Sequence, residues 1–158
     1  MKTHSSPVKS LSKYEIFVFG SNLQGFHGAG AAGFASFGVF GNNWRKFNYA
    51  QKPNGWKGLW NVKGKGEGLQ QGTIGWSYAL PTVIRPGTKR SRTKIQIMES
   101  IAKLYNVAER NRKWTFLVAQ SNRRGLNGYE PEEMVFMFKV KPIPDNISFD
   151  AEFAQLFI

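Results

Sequence analysis

An α/β domain with a mixed central sheet between two layers of helix is the fold class the sequence predicts, and three observations predict it. Short apolar runs that read as strands precede helical patterns, as at Glu15–Phe19 ahead of Ala29–Phe37 and at Lys113–Ala119 ahead of Pro131–Phe138. A long amphipathic segment runs from about Ser91 or Thr93 to Arg110. Two loops rich in glycine and asparagine, 20–30 and 120–129, follow strands, and open α/β sheets hold ligands beyond the carboxyl ends of their strands.

The elements follow in chain order. Met1 to Lys13 is polar and lacks the apolar centre of a signal peptide, so residues 1–13 read as an N-terminal tail and 14–158 as one domain. Glu15–Phe19 (EIFVF) reads as a buried strand ended by Gly20. Ala29–Phe37 is a small-residue helix able to pack closely on a sheet, closed by Gly38 and Gly41. The stretch from Asn42 to Gln71 has no long period. Its part at about 42–65 is a basic aromatic insert that interleaves Trp44, Trp56 and Trp60 with lysines, and it reads as short strands or an ordered loop.

Gly75–Thr82 (GWSYALPT) reads as a strand stopped by Pro81. A basic loop, Val83–Arg92, carries Pro86-Gly87. Ile95, Met98, Ile101, Ala102, Tyr105 and Ala108 then keep three-and-four spacing, with Thr93 or Ser91 as cap. Pro131 opens the next helix with Glu132 and Glu133 in its first turn, where the helix dipole favours acid. Asp150–Ile158 reads as a last short helix.

The chain has 158 residues, 41% hydrophobic and 15% aromatic, enough for one folded domain. It has no cysteine, which removes disulfides and thiolate metal sites and fits a reducing cytoplasm. No apolar run approaches the ~20 residues of a membrane span, so no membrane partner is expected. The net charge is +12, which draws polyanions such as nucleotides and nucleic acids. Between Tyr14 and Tyr129 the acids are Glu15, Glu67, Glu99 and Glu109 alone.

Gly28-Ala29-Gly30-Ala31-Ala32-Gly33 spells G-x-G-x-x-G. A dinucleotide fingerprint needs its first glycine directly after the strand and a carboxylate ~20 residues on, for the ribose hydroxyls. Here Gly28 comes eight residues after Gly20, and the chain near residue 50 offers Asn48, Tyr49 and Gln51 instead of an acid. Two readings remain. The glycines let a helix approach a sheet, or a wandering loop exposes main-chain N–H groups that bind phosphate oxygens together with a helix N-terminus.

Three stretches in order carry a resemblance. Val18-Phe19-Gly20-Ser21-Asn22-Leu23 with Gly28-Ala29-Gly30-Ala31-Ala32 comes first. Gly64 to Gly72 with Ser77-Tyr78-Ala79-Leu80-Pro81-Thr82 follows, and Gly125-Leu126-Asn127-Gly128-Tyr129 is last. Together they resemble a phage and bacterial branch of the macrodomain-like superfamily. The resemblance implies a three-layer α/β/α fold and a cleft for ADP-ribose or a related ADP-ribosyl nucleotide, bound, hydrolysed or sequestered in the cytoplasm (the host's, for a phage protein).

By position, the resemblance gives Asn22 a contact to the distal ribose. Gly20, Ser21, Gly25, Gly28, Ala29 and Gly30 would wrap the ribose and diphosphate. Ser121, Arg123, Gly125, Leu126, Asn127, Gly128 and Tyr129 would close over the phosphates, with Tyr129 near the ribose. The family's early adenine-reading aspartate has no counterpart before Asp145, and a tryptophan is the expected cap on the base. No cofactor and no metal are expected.

The chemistry-bearing candidates keep two readings each. His27 either donates to a phosphate or ribose hydroxyl, or is a surface loop histidine. Glu67 is either a general base for water or the partner of a nearby lysine. Arg123 and Arg124 either fork a phosphate or are solvated. The cluster Lys89-Arg90-Ser91-Arg92-Thr93-Lys94 is a solvated surface or a hint of an anionic partner. The alternative function is an RNA- or DNA-binding module that uses the basic, aromatic-rich surface.

Overall fold

The structure is a computed structural model that describes residues 1–26, 30–37, 66–71, 75–119 and 127–158. The insert at 42–65, with its three tryptophans, lies outside the described residues. Among those described, the chain is α/β, with six strands and four α-helices. The strands are β1 (Lys2–His4), β2 (Glu15–Asn22), β3 (Gly68–Gln71), β4 (Trp76–Val83), β5 (Thr115–Val118) and β6 (Ile147–Asp150). The helices are α1 (Gly30–Phe37), α2 (Lys94–Arg110), α3 (Pro131–Phe138) and α4 (Ala151–Ala154), with a 3-10 turn at Gln155–Phe157.

The strands form one sheet in the order β1-β6-β5-β2-β4-β3. The strands β1, β6, β5, β2 and β4 run parallel, and β3 pairs antiparallel with β4 at the edge. Parallel strands are covered on both faces, and β2 shows it by alternation. Ile16 and Val18 enter one core with Ile97, Ile101, Leu104 and Tyr105 of α2 and Met137 and Phe138 of α3. Phe17 and Phe19 enter the other with Phe34 and Ala35 of α1 and with Val8. Tyr105 Oη donates to the Phe138 carbonyl at 2.5 Å, so the buried phenol that joins the two helices is satisfied.

The structure revises several boundaries. Gly20 does not end β2, which runs on to Asn22 beside β4. Pro81 does not stop β4. The pairing with β3 ends at Ala79, so at Pro81 the strand has a ladder only towards β2, and a missing N–H on the open side costs nothing. The segment read as a tail supplies β1, paired parallel with β6, and buries Val8. The last helix is one α-turn capped by Asp150, whose carboxylate accepts from Phe153 N at 3.1 Å, followed by the 3-10 turn.

Helix α2 begins where its chemistry dictates. The Thr93 hydroxyl accepts from Gln96 N at 3.1 Å, and the Gln96 side chain accepts from Thr93 N at 2.9 Å, a reciprocal capping box. Helix α3 starts at Pro131 with Glu132 and Glu133 in its first turn, as its sequence predicts. No helix among the described residues is long and apolar enough to cross a membrane.

Candidate functional site

Because five strands are parallel, their carboxyl ends lie along one edge of the sheet. Three connections leave that edge from the neighbouring strands β2, β4 and β5, and their described residues are 23–26, 84–93, and 119 with 127–130. The end of β4 and the loop after it join the other two. Leu23 N donates to the Val83 carbonyl at 3.2 Å on one side, and Arg90 N donates to the Asn127 carbonyl at 2.7 Å on the other. Tyr129 Oη also donates to the Arg92 carbonyl at 2.5 Å.

Asn22 organises its own bend. Its Nδ2 donates to the Phe26 carbonyl at 2.7 Å, and its Oδ1 accepts from Phe26 N at 3.2 Å. Gly25 N closes the turn onto the Asn22 carbonyl at 3.1 Å, with Gly25 at φ 80. A primary amide carries two N–H hydrogens. One holds the loop, and the other has no partner among the described residues. Ser21 is spent on structure as well, its hydroxyl donating to the Gly66 carbonyl. Gly66 lies so close to this bend that a Cβ there would stand 2.0 Å from the Asn22 carbonyl oxygen.

Gly30 opens α1 at φ +60 with nothing within 4 Å of where a Cβ would be, so its backbone is exposed at the helix start. On the other side, Gly128 takes φ +84 and packs against Lys89, whose Cβ would be 2.9 Å from an added Cβ. Tyr129 N donates to Asn127 Oδ1 at 2.8 Å, and the Tyr129 ring carries the Arg90 guanidinium at 4.6 Å from its centre. Tyr129 is thus a buried support of the edge, with its hydroxyl engaged by the backbone.

Glu67 sits just before β3 on the α2 side, with Lys103 Nζ 3.8 Å from Oε1. This is the lysine-partner reading of that residue. The second oxygen, Oε2, is buried and has no hydrogen-bond partner among the described residues. The carboxylate also acts on its surroundings. Burial raises the Tyr78 phenol well above its ordinary value, and Glu67 adds to the rise. Burial lowers the Arg92 guanidinium, and Glu67 and Glu99 oppose it. Arg92 Nη1 donates to the Pro81 carbonyl at 2.6 Å and to Ser100 Oγ at 2.9 Å.

Of the residues expected at the site, Gly20, Ser21, Asn22, Gly25, Gly30, Asn127, Gly128 and Tyr129 lie along the carboxyl edge. His27, Gly28, Ala29, Ser121, Arg123, Gly125 and Leu126 lie outside the described residues, as does Arg124. The sequence reading did not give the β4–α2 loop its place between the two bends. The rule that selected the other loops also selects this one, since it follows a parallel strand. Among the described residues no group of three or more His, Cys, Asp or Glu side chains is arranged to hold a metal. A surface depression lined by Met1, Lys2, Ile143, Pro144 and Asp145 lies at the opposite edge, by the amino ends of β1 and β6.

Comparison of the chain with protein-family models, with curated proteins and with solved structures finds no match.

Proposed function

We propose that the chain is a macrodomain-like protein that binds ADP-ribose or a related ADP-ribosyl nucleotide at the carboxyl edge of its sheet. One observation carries the reading. The bend after β2 and the bend before α3 leave the same edge, each holds a glycine at positive φ, and the end of β4 with the loop after it fastens one to the other. Gly25 N is spent on its own turn, so the main-chain donors left for phosphate oxygens are those of Gly128 and of Gly30 at the start of α1, glycines at positive φ with no side chain in the way. The mixed sheet with helices on both faces agrees with what the sequence resemblance implies.

In this reading the main-chain amides hold the diphosphate. The second Asn22 amide hydrogen meets a ribose hydroxyl, and binding rather than turnover is the primary activity. Hydrolysis would rest on orientation and on a water polarised by the ligand's own phosphate.

Calorimetric titration with ADP-ribose tests the proposal. Saturable heat at one ligand per chain supports it, and absence of heat at millimolar ligand overturns it. Asn22→Ala should weaken binding by about 1–3 kcal/mol, the usual cost of leaving a buried polar group without its partner.

A further inference from the structure

The β4–α2 loop carries more charge than a diphosphate site needs. Residues 84–94 hold Arg85, Lys89, Arg90, Arg92 and Lys94 and no acid. Arg92 is turned inward onto Pro81 and Ser100. Arg90 and Lys94 share a single carboxylate, Glu133, at 2.7 Å and 2.9 Å. Glu130 and Glu132 lie near the same helix start, and Glu67 and Glu99 act on Arg92. Arg85 and Lys89 are exposed and have no acidic partner among the described residues.

The loop is also built to be stiff. Thr88 N donates to the Arg85 carbonyl at 3.3 Å across Pro86 and Gly87, with Gly87 at φ 78, the signature of a type II turn. Thr88 Oγ1 donates to Ser91 Oγ at 2.9 Å, and Ser91 Oγ accepts from Ile84 N at 2.9 Å. Arg90 stands at φ 54, a region side-chain-bearing residues seldom occupy, and is kept there by its N–H bond to Asn127. Strain of this kind in an exposed, charged loop points to function more than to packing.

The same rim exposes apolar surface. Phe26 is 49% exposed, Ile84 44% and Leu23 39%, and the Leu23–Val83 hydrogen bond brings the two loops that carry them together. Fixed cations beside exposed rings and aliphatic side chains are what a single strand needs, with phosphates on the charges and bases on the apolar surface.

We infer that the β4–α2 loop, with Phe26 and Ile84, is a binding surface for single-stranded nucleic acid beside the nucleotide site. Arg85 and Lys89 meet phosphates, while Arg90 stays paired with Glu133. The partner is separate from the proposed nucleotide ligand, and the inference does not depend on that reading.

Fluorescence anisotropy with a labelled 15-mer of thymidylate tests it. The oligonucleotide should bind at 50 mM salt. Two phosphate contacts predict a loss of affinity of about sevenfold on raising salt to 200 mM. The double variant Arg85→Glu/Lys89→Glu, both at exposed positions, should lose at least about tenfold in affinity. It should keep the wild-type melting temperature.

A duplex of equal length should bind more weakly, because its bases are not open to stacking. No binding at 50 mM salt would overturn the inference. So would equal binding by the charge-reversed variant, which would assign the attraction to the rest of the basic surface, or tighter binding of the duplex. The single variant Arg85→Glu, whose backbone bonds stay within its own turn, should weaken the oligonucleotide titration and leave the ADP-ribose titration intact, so the two proposals fail separately.

Discussion

Among the described glycines of the carboxyl edge, Gly66 has the least room for a side chain. A side chain there would overlap the Asn22 carbonyl oxygen at 2.0 Å and the Leu23 backbone at 2.7 Å and 2.8 Å, and backbone cannot yield as a flexible side chain does. Gly66→Ala should therefore destabilise the protein by about 1–3 kcal/mol, the usual cost of overpacking, and displace the bend at 22–26. Chemical denaturation measures the first effect and nucleotide titration the second. Asn146 makes a comparable case away from the site. Its Nδ2 lies within hydrogen-bond distance of the carbonyls of Ala108, Asn111 and Trp114, at 2.9 Å, 3.2 Å and 3.0 Å, and so ties the end of α2 to the start of β5. Asn146→Ala should cost about 1–3 kcal/mol in denaturant unfolding, because the carbonyls lose a buried donor.

At the scale of elements, α2 depends on its cap. Thr93→Ala removes the hydroxyl that accepts from Gln96 N and should cost about 1 kcal/mol in thermal unfolding. Helices α2 and α3 were legible in the sequence for physical reasons: a sustained helical period in one, and proline followed by two glutamates in the other. β2 was legible as an apolar run, but its end was not. Gly20 continues the pairing because β4 supplies a neighbour through Ser21, a tertiary fact invisible to local propensity. β1 and β6 were missed because KTH and ISFD are only three and four residues long, too short for a period to show, and each is a strand through its partners. Of the candidate site, the two glycine bends were visible as composition. The joining role of 83–93 was not, because it arises from bonds made across the sheet edge. The capping roles of Asn22 towards Phe26 and of Tyr129 towards Arg92 likewise needed coordinates.

For the whole molecule, two groups set an acid limit in separate windows. His4 is partly buried at the end of β1, with Nδ1 2.8 Å from Ser148 Oγ. Burial lowers its pKa from the ordinary 6.5, against the pull of Asp150, a backbone bond to Val118 and Glu15. A histidine held neutral in the fold contributes nothing above that value. As pH falls below about 6.5 the unfolded chain takes the proton more readily, and stability declines. Glu133 is held down to about 2 by Arg90 first, then Lys94 and the Glu130 backbone. Its contribution is complete above the usual carboxylate value of 4.5 and is lost as pH falls towards 2. Melting temperature should thus begin to fall below pH 6.5 in the wild type. His4→Gln should flatten that first decline and leave the second, more acid one in place.

The arrangement of the molecule follows from its parallel sheet. Both cores are filled along the strands, and the carboxyl edge is left to loops held by glycine and asparagine. The most direct measurement of that edge is an amide proton–nitrogen NMR titration with ADP-ribose. The account predicts that Gly25, Phe26 and Gly30 shift together with Gly128 and Tyr129, along one saturation curve. Shifts confined to one of the two bends, or centred on Met1, Lys2 and Ile143 at the opposite edge, would contradict it.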